Sequence, residues 1–110
     1  MNVDILVIMA HPDDAELCCS GTILASINQG LTVGLVDLTR GELGTRGDEQ
    51  IRLLESKNSS DLLELKFRDN LEFRDGFISD AENYINEIIK KIRKYSPKII
   101  ITNSKKDRHP

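Results

Sequence analysis

A short cluster near the N-terminus, His11-Pro12-Asp13-Asp14, combines residue types that bind metals and transfer protons. Proline disfavours helical backbone in the residue before it, so His11 is expected to stay extended while Asp14 begins a helix. Imidazole nitrogen and carboxylate oxygen are both zinc ligands, and these two residues lie three apart across the turn. Asp13 lies between them, where it can act as a general base. The cluster predicts a metal site that activates water.

The same residue types also occur at such positions for structural reasons. Aspartates at helix N-termini accept hydrogen bonds from free N–H groups and interact favourably with the helix dipole. A single histidine after a strand is more often a packing residue. A second cluster, Asp107-Arg108-His109-Pro110, follows the last apolar run of the chain, and the pairing of the two clusters favours the metal site.

The spacing of apolar residues predicts an alternation of strands and helices. Continuous apolar runs predict strands over residues 3–10, 32–38 and 98–102, and residues 66–78 are expected to hold a short strand and a turn. Helical spacing predicts helices over residues 14–29, 48–63 and 79–95. This order predicts an α/β fold, a Rossmann-like doubly wound, mostly parallel sheet with helices on both faces.

Individual residues are expected to orient and end these helices. Gly30 is expected to cap the first helix, and Leu54 to lie on the buried side of the second. Ser79 and Glu82 have the spacing of a capping box for the third. Helical spacing also predicts one face of the first helix, formed by Leu17, Gly21, Leu24 and Ile27.

The predicted topology brings the two His-Pro clusters together. In open parallel sheets, ligands bind beyond the C-terminal ends of the strands, where the strand order reverses. A Rossmann-like order makes the first and fourth strands neighbours. His11 and His109 are therefore expected to face one crevice.

Three motifs together resemble the LmbE/PIG-L deacetylase family. They are the segment His11 to Glu16 with Gly21-Thr22, the loop from Asp37 to Gly47 that contains TRGELGTRG, and Asp107 to Pro110. Within the family they are most similar to the bacterial branch that deacetylates N-acetylglucosaminyl malate in bacillithiol synthesis. Nearly the whole chain, residues 1–110, is identified as the N-terminal portion of one such deacetylase domain.

The resemblance implies a zinc site with His11 and Asp14 as ligands and Asp13 as the general base that activates the attacking water. A histidine beside carboxylates also suits other divalent metals. In the family the closing motif continues as His-Pro-Asp-His, and its final histidine is the third ligand. That ligand is expected beyond Pro110, so the chain is expected to be a truncated part of the fold.

The resemblance also assigns residues to the substrate. His109 matches a histidine that stabilises the oxyanion, so it is implied to be catalytic. Arg52 matches a substrate-contacting arginine, and Arg108 is a weaker match to the same role. The implied reaction is hydrolysis of the N-acetyl group of an N-acetylglucosaminyl conjugate, and the implied assembly is a homo-oligomer.

Composition excludes several other functions and partners. A net charge of -3 provides no basic footprint for nucleic acid. No apolar run approaches the roughly 20 residues that a membrane span needs. The N-terminus has no basic segment typical of a signal peptide. The two cysteines, Cys18 and Cys19, are adjacent in the sequence. These features predict a cytoplasmic protein that acts on a small molecule.

Two alternatives from other classes stay open at this point. A response-regulator receiver domain is also doubly wound and binds magnesium with an acidic pair after its first strand. It needs a phospho-accepting aspartate directly after its third strand, and neither Asp69 nor Asp75 follows a clear apolar strand. The other alternative is a non-catalytic metal-binding fragment of the same fold.

Overall fold

The computed structural model describes residues 2–11, 14–40, 54, 57–58, 61, 63–73 and 81–103. Within them the chain forms four strands and two helices. The strands are β1 (Ile5–Met9), β2 (Val33–Thr39), β3 (Phe67–Phe73) and β4 (Ile99–Thr102). The helices are α1 (Asp14–Asn28) and α2 (Glu82–Tyr95). The helix expected over residues 48–63 lies largely outside the described residues.

The four strands form one parallel sheet in the order β3-β2-β1-β4. Val7 of β1 pairs with Leu35 of β2 on one side and with Ile101 of β4 on the other. The predicted pairing of the first and fourth strands is therefore confirmed. A receiver domain places its third strand beside its first, whereas here β3 pairs with β2. The strand order excludes the receiver alternative.

Apolar side chains cover both faces of the sheet, because successive residues of a strand point to opposite faces. The cluster on the α1 face includes Ile5, Val7, Met9, Ala15, Ile23, Val33, Leu35 and Leu63. The cluster on the α2 face includes Val3, Leu6, Ile8, Val36 and Tyr95, with Ile88 and Ile92 packed against it. The predicted doubly wound α/β fold, with a helix on each face, is confirmed.

Helix α1 buries a different face from the predicted one. Its contacts with the core recur every four residues, at Ala15, Cys19, Ile23 and Ile27. Leu24 is 43% exposed and Gly21 is exposed, so the predicted face is wrong at both positions. Cys19 has a non-helical backbone (φ -143°, ψ 19°), which marks a kink in the helix. The side chain of Leu17 lies outside the described residues.

The sequence predicts a cap at the end of α1 and another at the beginning of α2, and both can be compared with the structure. Gly30 adopts φ 88° and its N–H donates to the Ile27 carbonyl, so the predicted C-cap is confirmed. Helix α2 has Ala81 at its N-cap, and an alanine methyl group accepts no hydrogen bond. The predicted capping box is therefore wrong in register, and Ser79 lies outside the described residues.

A glycine allows the aromatic packing between α2 and the sheet. The rings of Phe67 and Tyr95 stack with their centroids 3.9 Å apart. A Cβ atom on Gly34 would lie only 2.1 Å from the Phe67 ring. Gly34 and Phe67 are paired across β2 and β3, so glycine is required where the ring crosses the neighbouring strand.

Residues 67–73 form a longer strand than their sequence indicates. The expected short strand is a seven-residue strand, β3, whose polar side chains have partners on neighbouring elements. Leu63, just before it, is buried, but Leu54 is 60% exposed, so its predicted burial is wrong. The turn expected at Asp75-Gly76 lies outside the described residues.

Helices α1 and α2 contain 15 and 14 residues. A membrane-spanning helix needs about 20 apolar residues. Among the described residues, no helix is long and apolar enough to cross a membrane. The cytoplasmic compartment stays a prediction.

Candidate metal site

The turn between β1 and α1 brings His11 and Asp14 together at the C-terminal edge of the sheet. The backbone N–H of His11 donates to Asp14 Oδ2 at 3.1 Å, and the Asp14 N–H donates to the His11 carbonyl at 3.2 Å. These reciprocal bonds close the turn between the two residues. The two side chains therefore meet on one side of the turn, as their spacing predicts.

The distance between the two side chains fits a shared metal ion. His11 Nδ1 lies 3.6 Å from Asp14 Oδ2, which is too long for a hydrogen bond. Two ligand atoms, each about 2.1 Å from a tetrahedral zinc, lie about 3.4 Å apart. The side chains are 15% and 22% exposed, so a solvent ion can reach them. The donor set and its spacing therefore fit zinc.

The strands on either side of β1 hold this turn in place. The Ala10 carbonyl accepts hydrogen bonds from the Thr39 N–H at 3.1 Å and the Thr39 hydroxyl at 2.9 Å. On the other side, the Ala10 N–H donates to Asn103 Oδ1 at 2.9 Å. The residue before His11 is thus bonded to the ends of both β2 and β4.

Asn103 also contacts the candidate ligand, and the sequence analysis did not identify it. Its Nδ2 donates to Asp14 Oδ2 at 3.3 Å. The available signal was its position: it is the first residue after β4, the strand that pairs with β1. A polar residue at the end of a neighbouring strand lies at the same edge as the turn.

A second carboxylate near this edge has a different environment. Asp37 of β2 pairs with Met9, two residues before His11. Its carboxylate accepts hydrogen bonds from Arg68 Nε at 2.8 Å and a terminal guanidinium nitrogen at 3.2 Å. Both side chains are almost fully buried. This ion pair neutralises Asp37, so its carboxylate is committed to the fold.

Four of the predicted site residues lie outside the described residues: Asp13, Arg52, Arg108 and His109. Their proposed roles stay predictions. Within the described ranges, no group of three His, Cys, Asp or Glu side chains converges as a metal site. In this part of the chain, His11 and Asp14 are the predicted ligands that the structure brings together.

Cys19 packs against the apolar cluster on the α1 face. Its side chain is partly buried. This packing accounts for a small residue at the kink of α1.

Comparisons with known proteins indicate a family for this chain. The profile of the family described as PIG-L, GlcNAc-PI de-N-acetylase, matches residues 6–110. A diacetylchitobiose deacetylase of Thermococcus kodakarensis is 33% identical over 104 residues, covering 88% of this chain and 39% of that protein. A probable N-acetyl-alpha-D-glucosaminyl L-malate deacetylase 2 of Bacillus anthracis is 28% identical over 110 residues, covering 89% and 49%.

Among solved structures, the conserved protein TT1542 of Thermus thermophilus superposes with a TM-score of 0.93. It is 39% identical, and the match covers 98% of this chain and 49% of that one. The chain thus spans between 39% and 49% of the length of these relatives. Since the family profile matches nearly every residue, the chain belongs to the PIG-L family of de-N-acetylases.

Proposed function

We propose that the protein hydrolyses the N-acetyl group of an N-acetylated amino-sugar conjugate at a zinc site that includes His11 and Asp14. The observation that carries the proposal is the 3.6 Å separation of His11 Nδ1 and Asp14 Oδ2 at the strand edge. That separation is close to the roughly 3.4 Å expected for two ligands of one zinc ion, and it occurs in a chain of a de-N-acetylase family.

Zinc at this position would polarise the amide carbonyl and lower the pKa of water to about 7. Asp13, adjacent to Asp14, is proposed to take a proton from the attacking water and return it to the leaving amine. His109 is proposed to stabilise the negative charge that develops on the carbonyl oxygen. Arg52 and Arg108 are proposed to bind the substrate. A third ligand is proposed to follow Pro110.

The substrate class has two candidates, each supported by a relative. The malate deacetylase match supports N-acetylglucosaminyl malate, the substrate expected from the motifs. The match to a diacetylchitobiose deacetylase, at higher identity, supports an N-acetylated disaccharide. Both contain an acetamido group on a glucosamine ring, so the proposed chemistry is common to both.

The proposal also covers the assembly, the partners and the metal of the protein. We propose a homo-oligomer that acts on small molecules in the cytoplasm and binds neither nucleic acid nor membranes. Zinc is the proposed metal, with other divalent ions as alternatives because histidine and carboxylate ligands also suit them. A non-catalytic metal-binding module is the alternative function.

The test combines zinc content with acetate release from both substrates. It uses the chain and an extended protein, in which Asp-His and the remaining fold follow Pro110. The extended protein is expected to hold one zinc and to release acetate. Asp13→Asn is expected to abolish release while the zinc stays bound, because that substitution removes the proton acceptor but neither ligand.

Asp69→Asn is the matched control, because Asp69 is a β3 carboxylate that contacts Lys91 and Tyr95. It is expected to retain both zinc and activity. Zinc binding without acetate release from either substrate would support the non-catalytic module. Acetate release by Asp13→Asn at the wild-type rate would contradict the assigned base.

A further inference from the structure

Asn103 joins two parts of the candidate site through one side-chain amide. Its Oδ1 accepts the Ala10 N–H at 2.9 Å, and its Nδ2 donates to Asp14 Oδ2 at 3.3 Å. The two partners fix the orientation of the amide, because a backbone N–H requires an acceptor and a carboxylate requires a donor. A carboxylate or an apolar side chain at this position would lack one or both bonds.

The bond from Asn103 falls on the same Asp14 oxygen that the turn already uses. Oδ2 accepts both the His11 N–H and the Asn103 amide. Among the described residues, no hydrogen bond is made to Oδ1. A carboxylate held through one oxygen has a fixed plane, so its position relative to His11 is set before a metal binds.

We propose that Asn103 is a positioning residue for zinc, acting through the Asp14 carboxylate, while its bond to the Ala10 N–H anchors the amide. This inference rests on the proposed function, since it assumes that Asp14 is a ligand. Partners that orient metal ligands typically contribute 10- to 100-fold to metal affinity. Asn103 meets this description from just beyond the end of a separate strand, 89 residues away from Asp14 in the sequence.

Asn70 offers a matched control on the opposite side of β2. Its Nδ2 donates to the Thr39 carbonyl at 2.8 Å, and its Oδ1 accepts the Glu72 N–H at 2.7 Å. It therefore also connects backbone segments near the strand ends. Unlike the amide of Asn103, its amide bonds only to backbone groups among the residues that the structure describes.

The experiment measures zinc affinity by chelator competition for the extended protein, Asn103→Leu and Asn70→Leu, with thermal unfolding of each metal-free protein. Leucine keeps a similar volume and removes both hydrogen bonds. Asn103→Leu is expected to lower zinc affinity by about 10- to 100-fold. Asn70→Leu is expected to lower the unfolding temperature without changing zinc affinity.

A double-variant cycle separates positioning from a general structural effect. If Asn103 acts through Asp14, adding Asn103→Leu to Asp14→Ala is expected to reduce the residual affinity by much less than about 10-fold. Wild-type affinity in Asn103→Leu, or an equal loss in Asn70→Leu, would overturn the inference while leaving the proposed function intact. If the unsubstituted extended protein binds no zinc, the proposed function and this inference both fail.

Discussion

Asp14 and Asp37 lie near the same edge of the sheet, yet their surroundings prepare them for different roles. Asp37 is 3% exposed and accepts two hydrogen bonds from the Arg68 guanidinium. Asp14 is 22% exposed and accepts hydrogen bonds from the His11 N–H and the Asn103 amide. Among the described residues, Asp14 has no lysine or arginine partner.

The difference fits the role of metal ligand that is proposed for Asp14. A cation beside Asp14 would compete with the metal for the same oxygens, whereas neutral N–H donors orient the carboxylate and preserve its charge. Asp37 has the opposite arrangement, in which a buried charge is stable because its partner is buried with it. The partners of a carboxylate, more than its distance from the strand end, distinguish the two roles.

The largest effect on stability is expected from Arg68→Met. This substitution leaves the Asp37 carboxylate buried without its cation, and breaking a buried pair costs about 3–5 kcal/mol. Urea unfolding of the metal-free protein measures the loss. Lys90→Met is the control, because Lys90 is 71% exposed in its pair with Glu87 and exposed pairs contribute less than about 1 kcal/mol. Equal losses in the two variants would contradict the structural role of Asp37.

A smaller effect is expected from Tyr95→Phe, which tests a third carboxylate, Asp69. The Tyr95 hydroxyl donates to Asp69 Oδ2 at 2.6 Å, and Lys91 Nζ donates to the same oxygen at 3.0 Å. Hydrogen bonds to charged groups contribute about 1.5–3 kcal/mol to the free energy of unfolding. Because the bond from Lys91 to Asp69 remains in the variant, the expected loss is near the lower value. The free energy of unfolding at pH 7 measures it. A loss as large as that of Arg68→Met would contradict the ranking.

The stability contributed by Tyr95 and Asp69 is expected to depend on pH, at alkaline pH for Tyr95 and at acid pH for Asp69. Burial, together with the hydrogen bond and charge of Asp69, raises the pKa of Tyr95 to about 12. The stability that Tyr95 contributes is therefore complete below about pH 10 and lost as the pH rises towards 12. Burial by itself raises the pKa of Asp69, but hydrogen bonds from Tyr95 and Lys91 outweigh it and lower that pKa. Its contribution is present above about pH 4 and lost as the pH falls further.

The measurement is the difference in unfolding free energy between the wild type and each of Tyr95→Phe and Asp69→Asn, across this pH range. The Tyr95→Phe difference is expected to shrink at the alkaline end, and the Asp69→Asn difference at the acid end. A flat difference for either variant would contradict the corresponding pKa direction.

The smallest effect on stability is expected from Asp14→Asn. The side chain is partly exposed, and an amide oxygen still accepts at least one of the two N–H donors. The free energy of unfolding of the metal-free protein is expected to change by less than about 1 kcal/mol. Urea unfolding beside Arg68→Met provides the check. A loss of several kcal/mol would indicate that Asp14 is as structural as Asp37.

The fold was predictable because it follows from local patterns. Continuous apolar runs mark β1 and β2, helical spacing marks α1 and α2, and the parallel order follows from their alternation. The turn from His11 to Asp14 was predictable because proline and short spacing constrain it locally. The kink at Cys19 was not predicted, because the apolar spacing of α1 carries no signal for it.

The contacts that give the site its geometry depend on distant residues. Asn103 meets Asp14 across 89 positions, and Arg68 meets Asp37 across 31. Each pair forms only after the sheet has assembled, so no local spacing indicates it. The sequence therefore indicates which residues are candidates, and the assembled sheet determines which carboxylate is paired with an arginine.

The most direct test of the account is the zinc affinity of Asp14→Asn in the extended protein, measured by chelator competition beside the wild type and Asp69→Asn. Asp14→Asn is expected to lose more than about 100-fold in affinity, beyond the 10- to 100-fold typical of residues that only orient a ligand. Asp69→Asn is expected to match the wild type. Wild-type affinity in Asp14→Asn would contradict the claim that this carboxylate is held for a metal.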